Sequence, residues 1–192
     1  MKRFFIILLM MGFVAAPIQA QVSKNAKKEA KALTKEGWET VPSVPSIEEQ
    51  LRYLYETESE MDERGCPRYV YGKAKCIGGN YNVAKMQATY LAKVNLAGDV
   101  QSEIVANINK VVDQNEKEYI IKTISSKTEI YIGKTTTIME IYRKDSQGIY
   151  EVQIVLCCEY DGVKNVTMNA ISEDLDKYDP GLIEKVNKAL SL

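Results

Sequence analysis

Residues 69–77 read Tyr-Val-Tyr-Gly-Lys-Ala-Lys-Cys-Ile, and residues 82–97, after the break Gly78-Gly79-Asn80, read Asn-Val-Ala-Lys-Met-Gln-Ala-Thr-Tyr-Leu-Ala-Lys-Val-Asn-Leu-Ala. The first stretch, extended back to Pro67, alternates with period two and predicts a strand. One of its faces carries Val70, Gly72, Ala74 and Cys76, and the other carries Tyr69, Tyr71, Lys73 and Lys75. A face of such small residues leaves room for a helix to approach closely. The second stretch opens a helix over 82–112, capped by Asn80 or Asn82. Met86, Tyr90, Val94, Ala97, Ile104, Ile108 and Val111 recur at helical steps, widened by Ala84, Ala88 and Leu91. This stripe predicts the core face, with Gly98 marking either its tightest contact or a bend.

Downstream, Thr136–Arg143 and Gly148–Leu156 flank the polar turn Lys144-Asp145-Ser146-Gln147 and predict a β-hairpin. Residues 117–132 fit a helix by the spacing of Ile120, Ile121 and Ile124, and a strand by their β-branched content. The tail from Val163 reads as helical, with Asp179-Pro180 restarting a last helix. Upstream, residues 24–36 are strong helix formers holding five lysines and two glutamates, stopped by Gly37. Trp38 to Val41 is an extended crossing held out of helix by Pro42 and Pro45. Ser46-Ile47-Glu48-Glu49 has the form of a capping box, and Ile47, Leu51, Leu54 and Tyr55 form one stripe behind it. Residues 48–64 hold seven acids, an acidic complement to the basic first helix.

The expected fold class is therefore α+β in two layers. A three- to four-stranded, mainly antiparallel sheet is packed by one long helix, with extra helices from both ends of the chain. Residues 21–66 form the N-terminal helical segment and 67–192 the α+β domain, with 21–192 expected as one compact unit.

Residues 1–20 have a different character. Met1-Lys2-Arg3 is followed by thirteen apolar or small residues from Phe4 to Ala16, then Pro17 and Ile18-Gln19-Ala20. This is the pattern of a secretory signal peptide, cut after Ala20 or, as second choice, Ala16. As a helix the apolar run spans ~20 Å, short of a ~30 Å hydrocarbon core. The exported chain then carries 23 basic and 26 acidic side chains, a net charge of −3. Export and near-neutral charge together disfavour nucleic acid as a partner. The expected location is the periplasm, the cell surface or the medium.

The chain has no histidine, which excludes imidazole-based triads, dyads and metal sites. All three phenylalanines (Phe4, Phe5 and Phe13) fall in the leader, so the core must be aliphatic and alanine-rich, rimmed by the twelve tyrosines. Gly133-Lys134-Thr135 mimics the end of a phosphate-binding loop, but Thr128 stands where the leading glycine belongs. The acids of Glu48-Glu49 and of Glu56, Glu58 and Glu60 sit in charge-mixed segments and read as solvated faces. No catalytic residue, cofactor or metal ligand is expected.

The four cysteines, Cys66, Cys76, Cys157 and Cys158, lack zinc-site spacing. Cys157 and Cys158 face opposite sides of one strand, and Cys66 and Cys76 lie about 33 Å apart if the chain between them is extended. At most one disulfide is expected, with Cys76–Cys158 the best candidate because both face the helix side. Tyr69 and Tyr71 share a strand face and are candidates for a surface row that stacks on glycans or docks a partner.

The pattern Tyr69-Val70-Tyr71-Gly72-Lys73-Ala74, then Ala84-Lys85-Met86-Gln87-Ala88, Leu91-Ala92 and Leu96-Ala97, resembles a small exported bacterial lipoprotein family typified by a Helicobacter surface antigen. It is more similar still to exported proteins of Bacteroides-type bacteria. The resemblance covers roughly 68–160 and implies a glycine-bearing strand, an alanine-rich helix and a completing hairpin, with 117–131 helical. It departs from that family in its leader, which lacks the lipid-accepting cysteine. The function these features suggest is a non-enzymatic envelope protein that binds a partner or supports envelope assembly. The alternatives are a carboxylate-dependent hydrolase and a glycan or ligand binder using the exposed tyrosines.

Overall fold

The computed structural model describes residues 20–111 and 135–163, with isolated positions 122, 165, 169, 172, 181 and 184. The expectations for the leader before Ala20, for residues 117–132, for Gly133-Lys134 and for the C-terminal helices lie outside the described residues.

Helix α1 is described over 20–35 and shows why the sequence stops it where it does. Gly37 takes φ +85°, its N–H bonds to the carbonyl of Thr34, and the N–H of Trp38 bonds to that of Leu33. That is a Schellman end, which needs a residue without a side chain at the left-handed position. The five lysines of α1 are exposed, while Ala26 and Ala30 are buried. Helix α2, Ile47–Glu58, begins with the capping box, both of whose reciprocal Ser46–Glu49 bonds are present. Among the described residues no ion pair joins the lysines of α1 to the acids of α2. A polar contact between the two helices is the Tyr55 hydroxyl donating to Glu29, and Glu58 turns instead to Lys73.

Strand β1, Tyr69–Gly78, leads into helix α3, Tyr81–Val111, and then into β2, Thr136–Lys144, and β3, Tyr150–Glu159. The strands form an antiparallel sheet of three in the order β1-β3-β2. The hairpin turn is built by Asp145, whose carboxylate accepts from Gln147 N–H (2.9 Å) and Ile149 N–H (2.8 Å) while Gly148 takes φ +85°. Central β3 is buried on both faces over 154–158, where its sequence is a continuous apolar run, and alternates before it.

The two faces carry separate cores. Helix α3 lies on one, with Ala84, Ala88, Ala92, Leu96, Val100 and Ile104 against Val152, Ile154 and Leu156. Helices α1 and α2 and Trp38 cover the other, against Met139, Ile141, Val155 and Cys157. The extra helices therefore add a third layer to the expected two. Trp38 is 1% exposed and lies between two cations, Lys75 Nζ and Arg143 Cζ, each 4.9 Å from the ring centroid. A cation this close to an aromatic ring is attracted by the negative face of its π-system.

The expected core stripe of α3 is half corrected. Ala84, Ala88, Ala97 and Ile104 are buried, but Met86 (66% exposed), Tyr90 (67%), Leu91 and Val94 face outward. The reason is the strand beneath. A Cβ added at Gly72 would lie 1.9 Å from the Ala92 carbonyl oxygen and 2.7 Å from Leu96 Cβ. One added at Gly78 would lie 2.8 Å from the Ala84 amide nitrogen. So close an approach seats Ala84, Ala88 and Ala92 over β1, with Leu96, Val100 and Ile104 continuing the same face, and turns Met86, Tyr90, Leu91 and Val94 away. The tightest contact is accordingly at Gly72. At Gly98 an added Cβ meets nothing within 4 Å.

These two glycines give opposite expectations. Gly72→Ala forces the helix off the sheet, and an overpacking loss of ~2–3 kcal/mol or more is expected in urea unfolding. Gly98→Ala fills no occupied space and gains roughly 0.5–1 kcal/mol of helix propensity. Equal effects at the two positions would refute the close-contact explanation.

Candidate functional site

A cleft among the described residues follows from that helix placement. With a volume of about 1310 Å³, it runs between β1 at Tyr69–Lys73 and the stretch of α3 from Val94 to Glu103. Its floor is apolar at Val70 and Val94. Beyond these α3 presents Asp99, Ser102 and Glu103, and the same end of the cleft is lined by Arg64, Cys66 and Tyr160, whose hydroxyl bonds to Glu103. Asp99 and Glu103 are one helical turn apart, which puts their Cβ atoms ~6 Å from each other.

This end of the cleft is held by charge pairs rather than packing. The Asp62 carboxylate accepts from the Cys66 N–H (2.9 Å) and the Arg64 N–H (2.8 Å) and pairs with the Arg64 side chain. The Cys66 amide, with Arg64, holds the Asp62 carboxyl below the usual carboxylate range. Arg64 also reaches Asp161 at 2.7 Å, and Arg68 reaches Glu159 at 2.9 Å, joining the loop before β1 to the segment after β3. Exposed pairs like these add little stability each, but they fix the position of the loop. Burial raises the pKa of Tyr160, and so does the hydrogen bond from its hydroxyl to Glu103.

The edge of β1 beside this cleft is unusual in being open. The Tyr160 N–H donates to the Arg68 carbonyl, so along the β1–β3 register the even residues of β1 bond to β3, which leaves the N–H and C=O groups of the odd residues pointing outward. Of these, the Lys73 carbonyl accepts from Asn95 Nδ2 at 2.8 Å. The outward groups of Tyr71, Lys75 and Ile77 have no partner among the described residues. The opposite edge is covered: Glu140 N–H donates to Gln50 Oε1 (2.6 Å), and Tyr142 pairs with Glu39 through two backbone bonds.

Tyr69 and Tyr71 are brought to this region, but not as a free row. Both rings pack partly against the α1/α2 core. The Tyr71 hydroxyl is buried beside Thr57 without a hydrogen bond of ordinary geometry, and burial pushes its pKa up. Among the described residues the tyrosines with half or more of their surface exposed are Tyr53 and Tyr90, on other helix faces. Cys76 and Cys158 do share the α3 side, but all four cysteines are unpaired. Cys158 lies opposite Val70 and Cys76 opposite Val152, six positions apart along the sheet. That is ~20 Å, against a bridging limit of ~7 Å, so the Cys76–Cys158 disulfide is ruled out by register.

The cleft residues Asp99, Ser102, Glu103, Arg64 and Tyr160 were not singled out by sequence reasoning. The available signal was the polar interruption after Gly98 in an otherwise apolar helix. Both carboxylates are exposed, whereas paired acid–base work needs one desolvated enough to hold its proton. Among the described residues no group of three potential metal ligands clusters, and no helix is long and apolar enough to cross a membrane.

The class defined by these observations is an α+β protein with an antiparallel sheet of three, helices on both faces, and an open cleft beside one sheet edge. No family model, curated protein or solved structure matches the chain.

Two measurements check the cysteine geometry. Thiol titration in denaturant without reductant is expected to find four free thiols, with Cys66 alone reacting quickly in the folded protein. Separately, burial and the neighbouring Cys157 push the Cys158 thiol from 9.0 up to about 12. Between those values the unfolded chain loses this proton and the folded chain keeps it, so stability falls as pH rises. Urea unfolding at pH 8, 9 and 10 is expected to show that fall, shallower in Cys158→Ala.

Proposed function

We propose that this is an exported, non-enzymatic protein of the cell envelope that binds a macromolecular partner. The observation that carries this is the outward face of α3. Val83, Met86, Tyr90, Leu91 and Val94 are each at least 37% exposed and lie on one helical stripe. Single exposed apolar residues are ordinary, but a contiguous row on one rigid helix is the composition of a binding surface. Methionine and tyrosine suit such a surface, since one adapts its shape and the other offers a large rigid ring.

Further support comes from the leader pattern of residues 1–20 and from the resemblance of the 69–97 strand–helix pattern to small exported lipoproteins. The row ends at Val94, which also lines the cleft, so helix face and cleft form one continuous surface.

The test is capture from envelope extracts followed by a titration of the captured partner. Saturable binding is expected, weakened ~10-fold or more by the double variant Met86→Ser/Tyr90→Ser. Because both side chains are largely solvated, the melting temperature should move little. Absence of saturable binding, or binding indifferent to this variant, would count against the proposal. Fusion of residues 1–20 to a reporter tests export independently.

A further inference from the structure

The geometry points to the partner's form: the open edge of β1 takes up an extended polypeptide segment as a fourth strand, with a basic side chain of that segment seated at Asp99. This rests on the partner-binding function above and specifies which part of the surface does the work and what chemistry it accepts.

Three observations converge. The first is the asymmetry of the edges. A strand edge left unpaired is a template for another strand, and proteins usually cover it. Here Gln50 and the Glu39 bridge cover β2, whereas the groups of Tyr71, Lys75 and Ile77 are left outward. Groups repeating every second residue, ~6.7 Å apart, match an extended backbone and not a helix or a small molecule. The second is the space beside that edge. A strand laid along β1 would project alternate side chains into the cleft, first over the Val70–Val94 floor and then toward Asp99.

The third is charge. Asp99 has no ion pair among the described residues, so a lysine or arginine entering the cleft finds an uncommitted carboxylate. The same charges disfavour a second copy of this chain. Two β1 edges pairing antiparallel would set Lys73 and Lys75 against Lys75 and Lys73, and like charges directly opposite one another destabilise a sheet. Lys73 is already engaged with Glu58 at 2.8 Å, and Lys75 lies over Trp38.

The probe is a displayed library of random twelve-residue peptides selected on the purified protein, with the best binder then synthesised. Selected peptides should alternate apolar and basic residues. Binding should slow hydrogen exchange at the Tyr71, Lys73 and Lys75 amides ~10-fold or more while leaving distant amides unchanged.

Lys73→Pro removes one outward N–H without touching the β1–β3 ladder and should weaken binding ~10-fold. Lys73→Ala, which loses the same ion pair but keeps the N–H, should bind like the parent. Asp99→Lys should weaken binding similarly, and so should N-methylation of alternate peptide amides, which leaves the protein's fold untouched.

Peptides that bind without edge protection, and equally well to Lys73→Pro, would overturn the strand-addition inference while leaving partner binding intact. A β1-mediated dimer in sedimentation, or a library that yields no binder, would overturn it as well. Loss of partner binding altogether would instead be seen as the absence of saturable capture from envelope extracts.

Discussion

The contact of Gly72 with the Ala92 carbonyl sets the rest of the structure. A helix lying this close to β1 puts small side chains where the two backbones are nearest, so Ala84, Ala88 and Ala92 become core, and Leu96, Val100 and Ile104 follow on the same face. With the helix rotated to seat the alanines, Met86, Tyr90 and Val94 have nowhere to go but outward. The same rotation carries Asn95 to the β1 edge and Asp99 and Glu103 along the wall of the cleft. One missing Cβ thus shapes both the core and the surface that faces a partner.

The other face of the sheet is built by a different kind of chemistry. There the core is larger and less regular, with Trp38 closed over by two cations and β2 capped by Gln50. Gln50 is itself buried, and its 2.6 Å bond to the Glu140 N–H is the kind of satisfied polar contact that specifies one arrangement of helix on sheet. Glu140, on the opposite face, receives the Tyr81 hydroxyl and Lys85 Nζ (2.6 Å), tying the start of α3 to β2. The two cores are therefore coupled through the backbone of a single strand residue.

Much of this was legible beforehand. Alternation in 69–77 assigned Val70, Gly72, Ala74 and Cys76 to the helix side, and they are there. The Ser46–Glu49 box, the Gly37 stop and the hairpin were readable because each depends on residues within a few positions of one another. The face of α3 was less legible because its sequence holds two stripes at compatible spacing, one of alanines and one of larger residues. Hydrophobicity favours the larger stripe, and the depth of the groove above Gly72 overrules it. Cys76 and Cys158 show the same divide: facing is a local property of a strand, but register along the sheet is not.

What the sequence by itself determined is the set of elements, their order and the composition of the core, since caps, turns and periodicity act over a turn or two of chain. Which apolar stripe is buried, which sheet edge stays open and which carboxylates line the cleft were decided by tertiary structure alone. Those choices depend on how near α3 can come to β1. That distance is set by steric exclusion between Gly72 and Ala92, residues of different elements that no local pattern compares.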